Sequence, residues 1–141
     1  MRVLVILIAG LVLCSVQVSA QKRVGGKLLK GYDAIYPFKN GRAKVEKKGK
    51  VGYIDMTGTE IIECVYDAIY PFEKGVAKVE KVGKFGMINE SGEILIEALY
   101  DYIGPPSPDG VMLLSRQGRR GIVKVTGNTP DNVEYIVDIR D

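Results

Sequence analysis

The sequence predicts an all-β fold of tandem β-hairpin repeats, each of about 34 residues, stacked into a small open array with atypical capping ends. The first observation is a duplicated heptapeptide, because Tyr32–Phe38 and Tyr66–Phe72 both read YDAIYPF. When residues 32–65 are aligned without a gap on residues 66–99, 20 of the 34 positions are identical. A third copy begins at Tyr100 and gains one residue in its proline-rich loop. Units that cover one another with equivalent surfaces need equivalent residues, which explains the repetition.

The second observation is the alternation of side chains within each unit. In the segment AKVEK, residues 43–47, apolar side chains occupy every second position, as in a half-buried strand. The turn at Gly49-Lys50 leads into a second strand over Val51–Asp55, so the pair forms a β-hairpin. Ile61 and Ile62 begin a third strand. The proline of YDAIYPF keeps that segment out of the middle of a sheet, and we interpret it as the connection between units.

The repeats place residues 21–141 in a single β-repeat domain. The predicted units are residues 32–65, 66–99 and 100–127, followed by a C-terminal cap, residues 128–141, with a closing strand over Val133–Val137. The recurring aspartates at positions 33, 67 and 101 are predicted to accept backbone hydrogen bonds at a turn. The side chains predicted to cover neighbouring units are Tyr32, Tyr66, Tyr100, Ile35, Ile69 and Ile103.

Residues 1–20 have the pattern of a secretory signal peptide. Arg2 precedes an apolar run over Val3–Leu13, and Val18-Ser19-Ala20 forms a small-x-small cleavage site. The run is shorter than the ~20 apolar residues that a membrane-spanning helix needs. We therefore predict cleavage near Ala20, export to the periplasm or the medium, and no transmembrane span afterwards. A protein anchored in the membrane through its N-terminus is the alternative.

Composition argues against most enzyme classes. The sequence contains no histidine, which removes the commonest general base and the commonest zinc ligand. Cys64 lies in an apolar stretch, and the next copy has Ala98 at the same position, so we interpret this cysteine as a small core residue. We predict no cofactor and no metal. Carboxylate catalysis drawn from Asp55, Glu60 and Glu63 is kept as a less favoured hydrolytic alternative.

The repeat unit resembles the WG repeat family, also called KWG repeats. The resemblance rests on the order Lys-x-Gly-Lys-x-Gly-x-Ile-Asp-x-x-Gly at residues 47–58, and on Tyr-Asp-x-x-x-Pro-Phe-x-x-Gly-x-Ala-x-Val at residues 32–45. It covers about residues 28–127. Where the family has tryptophan, this chain has Val51, Phe85 and Arg120. The resemblance implies a stack of β-hairpin units in a bacterial envelope or secreted protein with a binding or scaffolding role.

Two repeated sets of side chains are candidate binding surfaces. The first is a basic stripe near the hairpin tips, which would bind an anionic polymer or an acidic partner. The alternative is that these cations only protect exposed strand edges from pairing with other chains. The second set consists of aromatic residues that flank the repeated prolines and would form a groove, which we expect to end at Gly104 in the third copy. The stripe comprises Lys47, Lys50, Lys81, Lys84, Arg116 and Arg119, and the aromatic set comprises Tyr36, Tyr70, Phe38 and Phe72.

These observations predict an exported, non-enzymatic interaction module of the bacterial envelope or the extracellular space. Its expected partner is another envelope protein or an anionic polymer, and not nucleic acid, which a secreted protein seldom meets. The alternative is a structural scaffold that associates with copies of itself through the ends of the array.

Overall fold

The computed structural model describes residues 23–24 and 27–141, with side chains from Leu29 onward. The predicted signal peptide lies outside the described residues. The described part is nearly all β, which confirms the predicted fold class, and it contains one 3₁₀ helix, at Pro130–Asn132. None of its helices is long and apolar enough to cross a membrane.

The described residues form fourteen strands. They are β1 (Arg23–Val24), β2 (Lys27–Leu28), β3 (Ala34–Ile35), β4 (Arg42–Lys47), β5 (Lys50–Asp55), β6 (Glu60–Tyr66), β7 (Ala68–Ile69), β8 (Val76–Lys81), β9 (Lys84–Asn89), β10 (Ile94–Tyr100), β11 (Tyr102–Ile103), β12 (Val111–Arg116), β13 (Arg119–Val125) and β14 (Val133–Val137).

Each repeat forms one antiparallel sheet of four strands in sequential order. The first sheet is β3-β4-β5-β6, the second is β7-β8-β9-β10, and the third is β11-β12-β13-β14. Strands β1 and β2 pair with each other. The interpretation of YDAIYPF as a connection needs correction, because Ala34–Ile35 and Ala68–Ile69 are the edge strands that open the first two sheets. These strands are two residues long and end before the proline, which has no N–H to continue the ladder.

The apolar core lies between successive sheets. One cluster covers the first face of the first sheet, where Leu29 packs with Ile35, Ala43, Val45 and Ile54. A second cluster joins the first sheet to the second, and a third cluster joins the second sheet to the third. The second contains Ile62, Tyr66, Ala77, Val79 and Ile88, and the third contains Met87, Leu95, Ile96, Tyr100, Ile103, Met112, Leu114, Val123 and Ile139.

The predicted covering residues take part in these clusters to different degrees. Ile35, Tyr66, Tyr100 and Ile103 are buried. Tyr32 and Ile69 are half-buried and pack against the first and second clusters. The Tyr100 ring is fully buried, and burial raises the pKa of its phenol, as does the nearby Tyr135 hydroxyl.

The third unit is completed by the C-terminal segment. The predicted closing strand is β14, with the predicted bounds, and it pairs with β13 as β6 pairs with β5 and β10 with β9. Ile139 then fills the space beside Gly121, where Cys64 approaches Gly52 in the first unit. The third sheet is therefore completed by residues that follow the segment resembling the repeat family, which ends at about residue 127.

A glycine in the third strand of each sheet faces a bulge in the fourth strand. Opposite Gly52, the register of β6 shifts between the pairs Val51–Tyr66 and Tyr53–Ile62. A Cβ atom at Gly52 would collide with the Ile62 carbonyl oxygen and lie 2.9 Å from the Cys64 nitrogen. Gly86 meets the equivalent backbone of β10. The in-register glycines are thus required by the close approach of two backbones.

The turns after β5 and β9 begin with different side chains, Asp55 and Asn89, and this difference follows burial. The half-buried Asp55 carboxylate accepts the Thr57 and Thr59 backbone N–H groups at 2.8 and 2.9 Å. In the second unit the equivalent Asn89 is buried, and its amide carbonyl accepts the N–H groups of Ser91 and Glu93. Its amide nitrogen donates to the carbonyl oxygen of Asn128, 2.9 Å away, in the turn of the third unit. The amide therefore ties two units together.

Candidate functional site

The basic residues that open β5 and β9 hold the next repeat. Lys50 forms an ion pair with Asp67, and Lys84 forms the same pair with Asp101. The second oxygen of each carboxylate accepts a backbone N–H from the hairpin turn of its own unit, Val82 N–H at 2.7 Å for Asp67 and Gln117 N–H at 2.7 Å for Asp101. We call each of these arrangements an inter-repeat clamp.

The first repeat shows the same turn contact, because Asp33 accepts the Lys48 N–H at 2.6 Å. The predicted role of the recurring aspartates as backbone acceptors is therefore confirmed in all three units. The lysine ammonium and the backbone N–H hold the pKa values of Asp67 and Asp101 below the usual range. A folded-state pKa below the unfolded one stabilises the fold above the unfolded value, and this stabilisation is lost as pH falls through the folded value.

We expect the clamps to make the protein acid-sensitive below about pH 4, where unfolded aspartates begin to protonate. Urea unfolding at pH 7, 5, 3 and 2 would measure this. The double variant Asp67→Asn/Asp101→Asn should be less stable than the wild type at pH 7, and the difference should shrink as the pH falls. Asp109→Asn, a change at an exposed loop carboxylate, is the control. A constant difference between wild type and double variant from pH 7 to 2 would contradict the clamp.

The arginines at the equivalent positions of the third unit hold the C-terminal segment. Arg116 donates to the carbonyl oxygen of Arg140, and Arg119 donates to that of Asp141. Asp138 pairs with Arg140, which holds the pKa of the Asp138 carboxyl at about 2. Four of the six predicted stripe residues, Lys50, Lys84, Arg116 and Arg119, therefore have an intramolecular partner.

Lys47 and Lys81 are exposed and line two concavities at equivalent places in the first and second units. The first concavity, of about 250 Å³, also has Glu60 and Glu63 on its walls. The second, of about 520 Å³, has Glu97 and a mostly apolar lining. Both concavities mix charges of opposite sign, so neither has the uniformly basic lining that would concentrate an anionic polymer. The basic stripe stays a prediction.

The repeated tyrosines lie at the edge of the stack where β3 and β7 end. The N–H groups of Tyr36 and Tyr70 donate to the carbonyl oxygens of Lys44 and Lys78, both at 2.9 Å. The two side chains remain 40% and 39% exposed. A lysine ammonium lies over each ring, 5.0 Å from the centroid for Lys44 and 4.7 Å for Lys78. Such cation–π contacts fix the rings while leaving them accessible.

The third unit keeps an exposed tyrosine at this edge from a different position. Gly104 occupies the place of Tyr36 and Tyr70, and its N–H donates to the Leu113 carbonyl in the same way. A Cβ atom on Gly104 would lie 3.4 Å from the Tyr102 ring, so that ring covers the glycine. Tyr102 is 53% exposed. An exposed tyrosine from another position thus lies beside Gly104, where the aromatic set was expected to end, and we call Tyr36, Tyr70 and Tyr102 the tyrosine row.

Comparison with known proteins identifies the repeat. A family model described as a WG containing repeat matches residues 30–50, 52–85 and 85–112, which is more than half of the chain. The chain belongs to the WG repeat family. No curated protein and no solved structure gave a significant match.

In this WG repeat protein, the three residues at the tryptophan position have different environments. Val51 is buried, and Phe85 packs against the cluster between the second and third sheets. Arg120 is exposed, because no described residue covers the outer face of the third sheet. The tryptophan position is therefore buried in the first WG unit, half-buried in the second and exposed in the third.

The phenylalanines of the predicted aromatic groove have a structural role in at least one unit. Phe72 packs against the cluster between the first and second sheets and makes an edge-to-face contact with Tyr53, with centroids 5.8 Å apart. The Arg42 guanidinium lies 5.2 Å from the Phe72 centroid. Phe38, in the first unit, is 36% exposed.

Two of the three carboxylates considered for catalysis, Asp55 and Glu60, are engaged in the WG framework. Asp55 is held by its turn, and Glu60 accepts the Tyr32 hydroxyl at 3.0 Å and the Cys64 N–H at 2.9 Å. Among the described residues, no group of three or more acidic or cysteine side chains is arranged to hold a metal ion. Burial, followed by the charge of Glu60, raises the pKa of Cys64 to about 11, which disfavours the thiolate that a nucleophile requires.

Sequence reasoning missed Lys44, Lys78 and Tyr102 as members of the exposed edge. The lysines alternate with buried residues, as ordinary outward-facing side chains of a strand do, so the sequence does not distinguish them. A signal for Tyr102 was present in the repeat alignment, where Ala34 and Ala68 become Tyr102 while Tyr36 and Tyr70 become Gly104. In the third copy the tyrosine is thus two positions earlier in the segment that opens the sheet.

Proposed function

We propose that this WG repeat protein is an exported, non-enzymatic interaction module, and that its tyrosine row binds an extended, proline-rich segment of another envelope protein. The observation that carries the proposal is the recurrence of an exposed tyrosine at one edge of all three sheets. The basic residues compete poorly as a binding surface, since four of them already hold carboxylates or carbonyl groups.

The regular recurrence of the row favours an extended ligand. One exposed tyrosine recurs in each unit, beside the edge strand that opens its sheet. A polyproline II helix is extended and advances 3.1 Å per residue, so ten prolines span about 31 Å. A segment of this length can contact more than one unit of the stack, because packed sheets lie about 10 Å apart.

The chemistry of the row also suits such a segment. Proline-rich segments dock on exposed aromatic side chains, and their carbonyl groups have no internal hydrogen bonds. The ammonium groups of Lys44 and Lys78 lie over the tyrosine rings and are placed to donate to those carbonyls. The Tyr36 hydroxyl donates to Glu46 at 2.6 Å, which fixes the ring without a ligand. A row ordered in advance loses less entropy on binding.

Export is part of the proposal and is supported by the sequence of residues 1–20. Cleavage after Ala20 would leave Gln21 as the first residue of the protein recovered outside the cytoplasm. Mass spectrometry of the N-terminal peptide checks this directly. Recovery of a chain that starts at Met1 from the cytoplasm alone would contradict it.

The binding claim is tested by isothermal titration calorimetry with decaproline as the probe. We expect a dissociation constant on the order of 0.1–1 mM, which corresponds to about 4–5.5 kcal/mol. Each stacked ring contributes about 0.5–1.5 kcal/mol, so Tyr36→Ala/Tyr70→Ala should weaken binding about 5- to 150-fold. Tyr36→Phe/Tyr70→Phe keeps the rings and should bind nearly as well as the wild type.

The matched control is Lys47→Glu/Lys81→Glu, which reverses the two exposed charges of the basic stripe and leaves the row intact. This control should bind decaproline like the wild type, and a glycine-serine decapeptide should bind to none of the proteins. The proposal fails if decaproline does not bind, or if the alanine double variant binds it as well as the wild type. Binding of a chitin hexasaccharide in place of decaproline would also overturn it, in favour of a glycan ligand.

A further inference from the structure

The outer face of the third sheet has an exposed apolar row. Leu113, Ile122 and Val137 lie directly opposite one another on β12, β13 and β14. Leu113 is 60% exposed and Val137 is 43% exposed, while Ile122 is half-buried. Tyr102 extends the face onto β11, where it pairs with Ser115. Each of the four strands thus contributes an apolar side chain to one surface.

The corresponding faces of the other two sheets are internal interfaces. The equivalent row is Lys44, Tyr53 and Ile62 in the first sheet and Lys78, Met87 and Ile96 in the second. Ile62 and Ile96 are 1% exposed, because the following sheet covers them. No described residue covers the third sheet in this way, and Leu113 replaces the lysine that solubilises the edge of the first two rows.

We propose that this face of the third sheet, the terminal face, is an interface with a second copy of the same chain. The surface is the same kind of sheet face that the protein already buries twice within itself, so it continues an established mode of packing. A second copy cannot offer the opposite end of its stack, because Leu29 covers the first face of the first sheet. The copy therefore offers its own terminal face, which gives a two-fold symmetric dimer.

The charges around the row are compatible with this arrangement. Arg120 lies toward one end of β13. At the other end, Lys124 of β13 lies directly opposite Glu134 of β14. An apolar centre with a charged rim is the usual anatomy of a protein interface. Antiparallel packing of two terminal faces brings Arg120 of each copy toward the end of the other copy that carries Lys124 and Glu134. The rim carries both signs, so it does not repel a second copy as a whole.

The size of the face sets the expected strength. The strands β11, β12, β13 and β14 have two, six, seven and five residues. At about 3.4 Å by 4.8 Å per residue, the face has an area of about 330 Å² per copy. Stable complexes bury about 800 Å² per partner, so this dimer should be weak and reversible, with a dissociation constant on the order of 10–100 μM. The inference does not depend on which ligand the tyrosine row binds, but Tyr102 belongs to both surfaces, so the dimer is measured in the absence of ligand.

Sedimentation velocity of the purified protein that begins at Gln21, from about 5 μM to 1 mM, tests the proposal without the apolar run Val3–Leu13, which would associate by itself. The wild type should shift toward twice the monomer mass as the concentration rises. Leu113→Lys should raise the dissociation constant at least tenfold, and it introduces the residue that the first two units have at this position. Val137→Thr, which keeps the β-branched shape, should weaken the dimer in the same direction. Far-ultraviolet circular dichroism and a thermal melt establish that both variants are folded.

The matched control is Val82→Lys, which makes the same change of charge at a residue 79% exposed in the β8–β9 turn. Lys48 occupies the equivalent turn position in the first unit, so this variant should fold and should dimerise like the wild type. The proposal is overturned if the wild type remains a monomer at 1 mM. It is also overturned if Leu113→Lys associates as strongly as Val82→Lys, which would assign the association to another part of the chain.

Discussion

Replacing Gly86 by alanine is expected to destabilise the protein by about 3 kcal/mol, at the upper end of the range for overpacked sites. The added Cβ would lie 2.5 Å from the Ile96 carbonyl oxygen and 2.7 Å from the Ala98 nitrogen. Both atoms belong to the backbone of β10, which cannot move away as a flexible side chain can. Ile96 is also part of the core between the second and third sheets, so a shift of β10 disturbs two units.

The control is Gly83→Ala, three residues earlier in the same hairpin. Gly83 has φ +71°, and a Cβ there would meet no atom within 4 Å. Its replacement should cost only the strain of a left-handed backbone, roughly 1–2 kcal/mol. Urea unfolding of both variants measures the difference in the free energy of unfolding. Equal losses for Gly83→Ala and Gly86→Ala would show that backbone conformation, and not close approach, explains the repeated glycines.

The second large effect is expected for Asn89→Asp, which replaces an amide by a carboxylate of the same shape. The amide nitrogen of Asn89 donates to the Asn128 carbonyl oxygen at 2.9 Å and to the Glu93 carboxylate at 2.5 Å. An acidic group would instead place negative oxygen against both acceptors in a buried position. We expect a loss of roughly 3 kcal/mol at pH 7, typical of a buried group that loses its partners.

The reciprocal substitution, Asp55→Asn, provides the control for this prediction. It makes the first unit resemble the second at an exposed turn and should change stability by much less, within about 1 kcal/mol. The penalty of Asn89→Asp should also decrease at low pH, because the new carboxyl group becomes a donor when it is protonated. Urea unfolding at pH 7 and pH 4 measures both effects. A variant Asn89→Asp as stable as Asp55→Asn at pH 7 would contradict the assigned hydrogen bonds.

The repeat itself made the fold predictable from the sequence. Alternation in the AKVEK segments places Ala43, Val45, Ala77 and Val79 in the core, as the structure shows. The strands around each turn follow from the in-register glycines, because positive φ angles at Gly49, Gly83 and Gly118 close the three hairpins. Periodicity of this kind is a local signal, which is why the strands were found without knowledge of the packing.

The candidate site was harder to predict because it depends on contacts between units. Lys50 and Asp67 recur as Lys84 and Asp101, but nothing in their local sequence shows that each pair is in contact. Equivalent position in the repeat predicts a stripe of lysines, whereas the structure connects Lys50 and Lys84 to the following repeat. The edge strand Ala34–Ile35 was missed for a related reason, since two residues are too few to show alternation.

The C-terminal segment shows a further limit of sequence comparison within the chain. Ile139 takes the place of Cys64 beside the equivalent glycine, although the sequences around the two residues are unrelated. The segment adapts to the third sheet through its own contacts, including the bond from Arg119 to the Asp141 carbonyl. Repeat alignment identifies such a segment as atypical, and its packing becomes clear only in the structure.

Hydroxyl-radical footprinting, read by peptide mass spectrometry with and without decaproline, tests the central claim most directly. In the free protein, Tyr36, Tyr70 and Tyr102 should be oxidised readily, while the buried Tyr66 and Tyr100 should be protected. Added decaproline should lower the oxidation of the tyrosine row and leave the peptide that contains Lys47 unchanged. Protection around Lys47 with no change in the row would contradict the account and return the binding surface to the basic stripe.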